Sequence, residues 1–239
     1  MTVTFSQLGK MGRLGNCLFQ IATTISTAIK NNTDYQFPPW QYEPNFNLHN
    51  CFSSNIAVSK TYQEKAFHYD EIPASNSVDL IGYFQSWKYF ENNKEEIAKA
   101  LTPIYKFERE EGLCSLHIRR GDYLNFQNCH PLMSMDYYSK AMEMSGCKKF
   151  LILSDDMDWA KRNFVGNQYE YSEGNGPAID LALMAKTCES NIICNSSFSW
   201  WGAWLNKNEN KKVLAPSTWF GPALQHNTKD LLPPEWIKI

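Results

Sequence analysis

The chain has 239 residues, a formal net charge of −2, 43% hydrophobic residues and 20% charged ones. That length holds one large domain or two small ones. Without an excess of positive charge the chain has no global field for nucleic acid or anionic lipid, so an anion site would have to be local.

The seven cysteines are odd in number and contain no Cys-x-x-Cys. This argues against a disulfide framework or a cysteine-rich zinc site and for a reducing compartment. The first residues lack a basic, apolar leader pattern. Nowhere do about 18 apolar residues follow one another, so no transmembrane segment is expected.

In chain order, Val3-Thr4-Phe5 predicts a short strand, followed by a loop with Gly9, Gly12 and Gly15. Residues 16–30 put Leu18, Ile21, Ala22, Ile25, Ala28 and Ile29 on one helical face. Residues 31–77 are rich in Asn, Pro, Ser and aromatics, and no period orders them. Residues 79–84 predict a strand, and Trp87 to Leu101 a helix stopped near Pro103. The charged run 106–112 marks a boundary, dividing the chain into 1–108 and 109–239. Beyond it, strands are predicted at 114–118, 149–153, 191–194 and 212–215, with helices at 133–146, 178–189 and 197–208 between them. Strands alternating with helices specify a parallel α/β sheet.

In such a sheet, ligands bind beyond the carboxyl ends of the strands. The first of these four strands ends in Arg119-Arg120-Gly121-Asp122, the second in Ser154-Asp155-Asp156 and the third in Asn195-Ser196-Ser197-Phe198. Arginine is scarce here, 5 against 18 lysines. Its planar fork grips phosphate oxygens in two places, where lysine is a point charge. Neighbours on an extended strand point to opposite faces. One arginine is therefore expected to bind a diphosphate and the other to brace loops or pair with an acid. Ser196, Ser197 and the following amides would open a helix whose N–H groups face an anion. Asp155 or Asp156 would accept the paired donors of a guanine. Each feature also has a plain structural reading: arginines paired with surface acids, aspartates and serines capping helices. The agreement of several at matching strand ends favours one shared site.

Four segments carry a family resemblance. His117-Ile118-Arg119-Arg120-Gly121-Asp122 resembles the His-x-Arg-Arg-x-Asp signature of the α-1,2-fucosyltransferases of glycosyltransferase family 11. Residues 12–20 resemble the family's N-terminal motif, with Cys17 where Gln is usual. Residues 82–90 are similar to a second block, with Trp87 where Glu is common. Residues 195–204 are the most specific match.

The resemblance implies a GT-B-type fold: two Rossmann-like domains, an acceptor-side one over 1–108 and a GDP-fucose-binding one over 109–239, with a donor/acceptor cleft between them and the N-terminal one reduced. It implies transfer of L-fucose from GDP-fucose, with inversion, to the 2-hydroxyl of a galactose-terminated oligosaccharide or glycolipid, with no metal or other cofactor. The catalytic candidates are Arg119, Arg120 and Asp122. Asp122 is read either as the general base or as an ion-pair partner of an arginine. The donor candidates are Arg13, Gly15, Asn16, His117, Asp155, Asp156, Ser196, Ser197 and Phe198. Tyr83, Gln85 and Lys88 fall on the acceptor side, with His130 as an outside candidate for the base. Trp200, Trp201 and Trp204 read as packing, and Asp180 as a helix cap or a guanosine contact. Without a membrane helix, the chain resembles a bacterial or viral member acting in the bacterial or host cytoplasm. Another GDP-sugar as donor, or a silent sugar-nucleotide or glycan binder, are the alternatives.

Overall fold

The computed structural model describes residues 1–57 and 60–239. Val58 and Ser59, inside the stretch that no sequence period orders, lie outside the described residues. The chain forms two compact units. The first comprises Met1–Ile104 with His226–Pro233, and the second Tyr105–Gln225 with Pro234–Ile239. A single boundary at 108/109 would leave His226–Pro233 with the second unit; it clusters with the first.

The first unit holds a parallel sheet of β1 (Thr2–Thr4), β2 (Asp34–Gln36), β3 (Thr61–Gln63) and β4 (Val78–Ile81) in the order β2-β1-β4-β3. The helix α1 (Leu14–Lys30) connects β1 to β2. It is buried nearly all round from Leu14 to Ala28, not on one stripe as its sequence period suggests. Threonines fill its remaining faces, and Thr24 returns its hydroxyl to the Gln20 carbonyl at 2.8 Å, the local bond that lets such a residue sit inside a helix. Gly15 lies within the first turn of α1, not in the preceding loop.

The single helix expected over 87–101 is two pieces. A 3₁₀ segment, Trp87–Asn93, precedes α2 (Lys94–Leu101), and Phe90 between their axes has non-helical angles of φ −131° and ψ 19°. Burial of the Phe90 ring, 6.1 Å from Phe19, overrides the helical period there. The unordered stretch contributes β2, β3 and a turn at Glu43–Asn45. These strands of three residues are too short to show alternation.

The second unit is a six-stranded, wholly parallel sheet. Its strands are β5 (Leu113–Ile118), β6 (Lys149–Ser154), β7 (Tyr169–Tyr171), β8 (Ser190–Ile192), β9 (Val213–Ala215) and β10 (Ile237–Lys238). Helices α3 (Met135–Ser145), α4 (Met157–Asn163), α5 (Pro177–Ala182) and α6 (Ser197–Leu205) connect them. The sequence reading missed α4, β7 and β10. The helix expected over 178–189 ends as α5 and continues as a wider π turn, Leu183–Thr187. β5 and β6 are buried runs, and with Tyr138, Phe164 and Leu214 they form the core. Trp200 and Trp201 are fully buried in α6, in line with the packing reading.

The lateral order is β7-β6-β5-β8-β9-β10. Numbered within the unit this is 3-2-1-4-5-6, the order of dinucleotide-binding sheets. The direction of winding reverses between β5 and β8, which places the crevice for a ligand beyond the ends of those two strands. The chain is thus α/β with parallel sheets, and its second unit is Rossmann-like. Among the described residues, no helix is long and apolar enough to cross a membrane.

Candidate active site

The reversal point in the second unit is occupied by the residues that the sequence singled out. β5 delivers His117 and, just past its end, Arg119 and Arg120. Past the end of β8, Ser196 is the N-cap of α6 and accepts the Phe198 N–H at 3.4 Å. Ser197 and Phe198 form the first turn of α6, whose N-terminus carries the positive end of the helix dipole. The two strand ends are tied together. Tyr123 donates its hydroxyl to the Asn195 carbonyl at 3.1 Å, and the His117 ring lies 5.4 Å from that of Phe198.

Beneath them, His117 Nδ1 contacts Cys194 Sγ at 3.2 Å. Burial, with help from the Arg119 charge, pushes the His117 pKa down to about 3. Burial pushes the Cys194 thiol up to about 12. The pair is therefore a neutral imidazole on a neutral thiol throughout the physiological range.

The two arginines differ as their strand register requires. Arg119 is held between two carboxylates: it pairs with Asp122, and its Nη1 meets Asp155 at 2.8 Å. Its guanidinium also lies over the Tyr123 ring at 5.3 Å. Arg120 donates Nε to Asp156 at 3.0 Å and stacks on Trp159 at 4.1 Å. Its two terminal nitrogens have no protein partner among the described residues.

Asp155 and Asp156 organise this strand end. One oxygen of Asp155 accepts the N–H groups of Arg120 and Gly121, at 2.8 and 3.2 Å. A Cβ on Gly121 would stand 2.4 Å from the other, so a glycine is required here for this approach. Asp156 caps α4 through the Trp159 N–H at 3.1 Å. Both carboxylates thus orient arginines. Asp122 adopts the ion pair, one of the two roles considered for it. His130 stacks on Tyr123 at 4.7 Å. Asp180 does not cap α5, whose N-cap is Gly176; it accepts the Ser172 hydroxyl at 2.6 Å.

In the first unit, Arg13 is the exposed N-cap residue of α1. Asn16, one turn on, accepts the Gln85 amide at 2.8 Å. Tyr83 is exposed. Lys88 is claimed by Asp230, a buried carboxylate 2.7 Å away. Sequence reasoning missed Asp230, Trp159, Tyr123 and Cys194. Trp159 and Tyr123 each lie within a few residues of a flagged strand end; the other two partners are distant in sequence from the groups they touch.

The comparisons agree with this geometry. The family model for glycosyl transferase family 11 matches residues 11–239. The chain is similar to the O-antigen biosynthesis glycosyltransferase WbnK of Escherichia coli, 32% identical over 77% of this chain and 70% of that protein. It is similar to an alpha-1,2-colitosyltransferase of Escherichia coli, 28% identical over 100% of this chain and 99% of that protein. It is also similar to galactoside alpha-(1,2)-fucosyltransferase 2 of Oryctolagus cuniculus, 24% identical over 97% of this chain and 76% of that protein. A dinucleotide-type sheet carrying the paired-arginine signature at its winding reversal, and a family match along nearly the whole chain, lead to one conclusion: the chain belongs to glycosyl transferase family 11.

Proposed function

We propose that the chain is an inverting α-1,2-fucosyltransferase that moves L-fucose from GDP-fucose to the 2-hydroxyl of a galactose-terminated acceptor, without a metal. In this reading the two units are the domains of a GT-B enzyme. The second binds the donor and the first, reduced one binds the acceptor. The observation that carries the donor half is Arg120, whose Nε is anchored on Asp156 while both terminal nitrogens remain for a phosphate. The positive dipole end of α6 favours the same charge.

Departure of GDP leaves negative charge on the diphosphate. Fixed donors stabilise that charge as it develops, each worth roughly 3–4 kcal/mol. Asp122 and Asp155 hold Arg119 in place, and His117, kept neutral, packs beneath the site. Arg13, Gly15 and Asn16 are assigned to donor contacts and Tyr83 and Gln85 to the acceptor. Lys88 is assigned to the ion pair that fixes its turn. The proposed place of action is the cytoplasm, a reading supported by seven free cysteines, which suit a reducing compartment.

A second reading, a colitosyl donor, is favoured by the full-length likeness to an alpha-1,2-colitosyltransferase. The test is purified protein with GDP-fucose or a colitosyl donor, with EDTA, and with or without a panel of β-galactosides. GDP release and product mass are followed. A fucosylated galactoside linked at the 2-hydroxyl supports the first reading, and transfer from the colitosyl donor alone replaces it. GDP binding without any transfer indicates a silent binder.

A further inference from the structure

Transfer to a hydroxyl requires that its proton go somewhere, and Asp122, engaged by Arg119, is poorly placed to take it. The first unit offers another carboxylate. Glu64 follows the last residue of β3, at the carboxyl end of the first sheet, the end where parallel sheets bind ligands. The turn after β4 is wound around it. The N–H of Tyr83 reaches Glu64 Oε2 at 2.7 Å, and the N–H of Phe84 reaches Oε1 at 2.9 Å. Each oxygen accepts one such bond and keeps a lone pair.

The turn is strained to achieve this. Phe84, a bulky residue, sits at φ +51°, and Gly82 at φ +155°. A Cβ on Gly82 would fall 2.3 Å from that of Glu64. Such strain clusters at functional sites. No lysine or arginine forms an ion pair with Glu64 among the described residues. The groups around it are Tyr62, Tyr89 and Asp70, and Lys65 pairs with Asp70 at 3.6 Å. A half-buried carboxylate without a cation is costly, and an acid in such a perturbed environment is a candidate for proton transfer. Burial raises its pKa to about 7, against the opposing pull of the two N–H groups. That value suits a base working near neutrality. Tyr83, whose N–H it accepts, is exposed, and the same turn contributes Gln85, which donates to Asn16 on α1.

We propose that Glu64 is the general base of the transfer, deepening the function proposed above and resting on it. The Glu64 carboxylate takes the proton of the acceptor hydroxyl. The oxygen's electron pair forms the new bond to C1 of the sugar. The bond from C1 to the diphosphate oxygen breaks, and its electrons leave with GDP. Glu64 ends protonated and releases the proton to water.

The experiment is the pH profile of kcat and kcat/KM from about pH 5.5 to 8.5, with GDP affinity by calorimetry, for wild type, Glu64→Gln and Glu64→Asp. Wild type is expected to lose activity below an acid limb near 7. Glu64→Gln is expected to lose about 10²- to 10⁴-fold in kcat with GDP affinity unchanged and the limb gone. Should Glu64→Gln fail to fold, Glu64→Asp decides: a lower kcat with a displaced limb supports the assignment, and a limb still near 7 overturns it. A flat wild-type profile, or Glu64→Gln within a few-fold of wild type, also overturns it while leaving the transferase reading intact. Absence of any sugar transfer by wild type removes both.

Discussion

Arg120→Lys tests the donor site most directly. It keeps the charge and changes only the number and geometry of donors. Arg120 does three things: Nε bonds Asp156 at 3.0 Å, the plane stacks on Trp159 at 4.1 Å, and two terminal nitrogens stay open. Lysine has one nitrogen and no plane. If that nitrogen stays on Asp156, the leaving diphosphate loses its fork, costing roughly 3–4 kcal/mol of transition-state stabilisation. If it turns to the phosphate, it is a single mobile donor without its anchor. Either way kcat should fall about 10²- to 10³-fold. GDP affinity should fall less, because the fork matters most as charge develops. Stability should change little: the Arg120–Asp156 pair is partly exposed and worth less than about 1 kcal/mol, and Asp156 keeps its cap on α4. The assay is GDP release at saturating donor and acceptor, with calorimetry for GDP and a melting curve for the fold. A kcat within about threefold of wild type in a folded protein would refute the role given to Arg120.

Asp155→Ala should act on the fold of the strand end. It leaves the exposed N–H groups of Arg120 and Gly121 to water and releases Arg119. A loss of about 0.5–1.5 kcal/mol is expected, a drop of a few degrees in Tm by thermal denaturation, together with weaker GDP binding. Gly82→Ala should displace the Glu64 carboxyl and depress kcat without changing GDP affinity, read by the same two assays. On the proposed reading, in which arginines carry the leaving charge, EDTA should leave turnover unchanged; a strict need for Mn²⁺ or Mg²⁺ would contradict this.

Stability against pH carries two opposed contributions. His117, depressed from 6.5 to about 3, stabilises fully above 6.5, and the contribution is lost as pH falls below that value. Glu64, raised from 4.5 to about 7, contributes fully below 4.5, and the contribution is lost as pH rises toward 7. Each has a slope of at most about 1.4 kcal/mol per pH unit, so the two offset each other between 4.5 and 6.5. Urea denaturation at several pH values should show His117→Gln becoming less acid-sensitive than wild type and Glu64→Gln more so. Changes of the same sign in both variants would refute the two assignments.

Much of the second unit was legible from local pattern. Apolar runs such as Phe150–Leu153 read as buried strands, and the polar clusters at 119–122, 155–156 and 195–198 fell at their ends. The first unit was harder. Its strands are three or four residues long, too short for a period of two, and β3 with Glu64 lay in the stretch that composition could not order. The elements that failed as single helices did so where a buried side chain overrode the local period, as at Phe90.

The sequence by itself determined the residue types, the alternation that makes a parallel sheet, and the signatures that carry the family. Only the tertiary structure decided how the charges are shared: that Arg119 is held by two carboxylates while Arg120 keeps its fork open, that Lys88 belongs to Asp230, and that Glu64 is gripped by a turn from β4. Local sequence fixes which groups exist and which face of a strand they take. Which acid meets which base depends on strand order and register, and these are settled by packing between residues far apart in the chain.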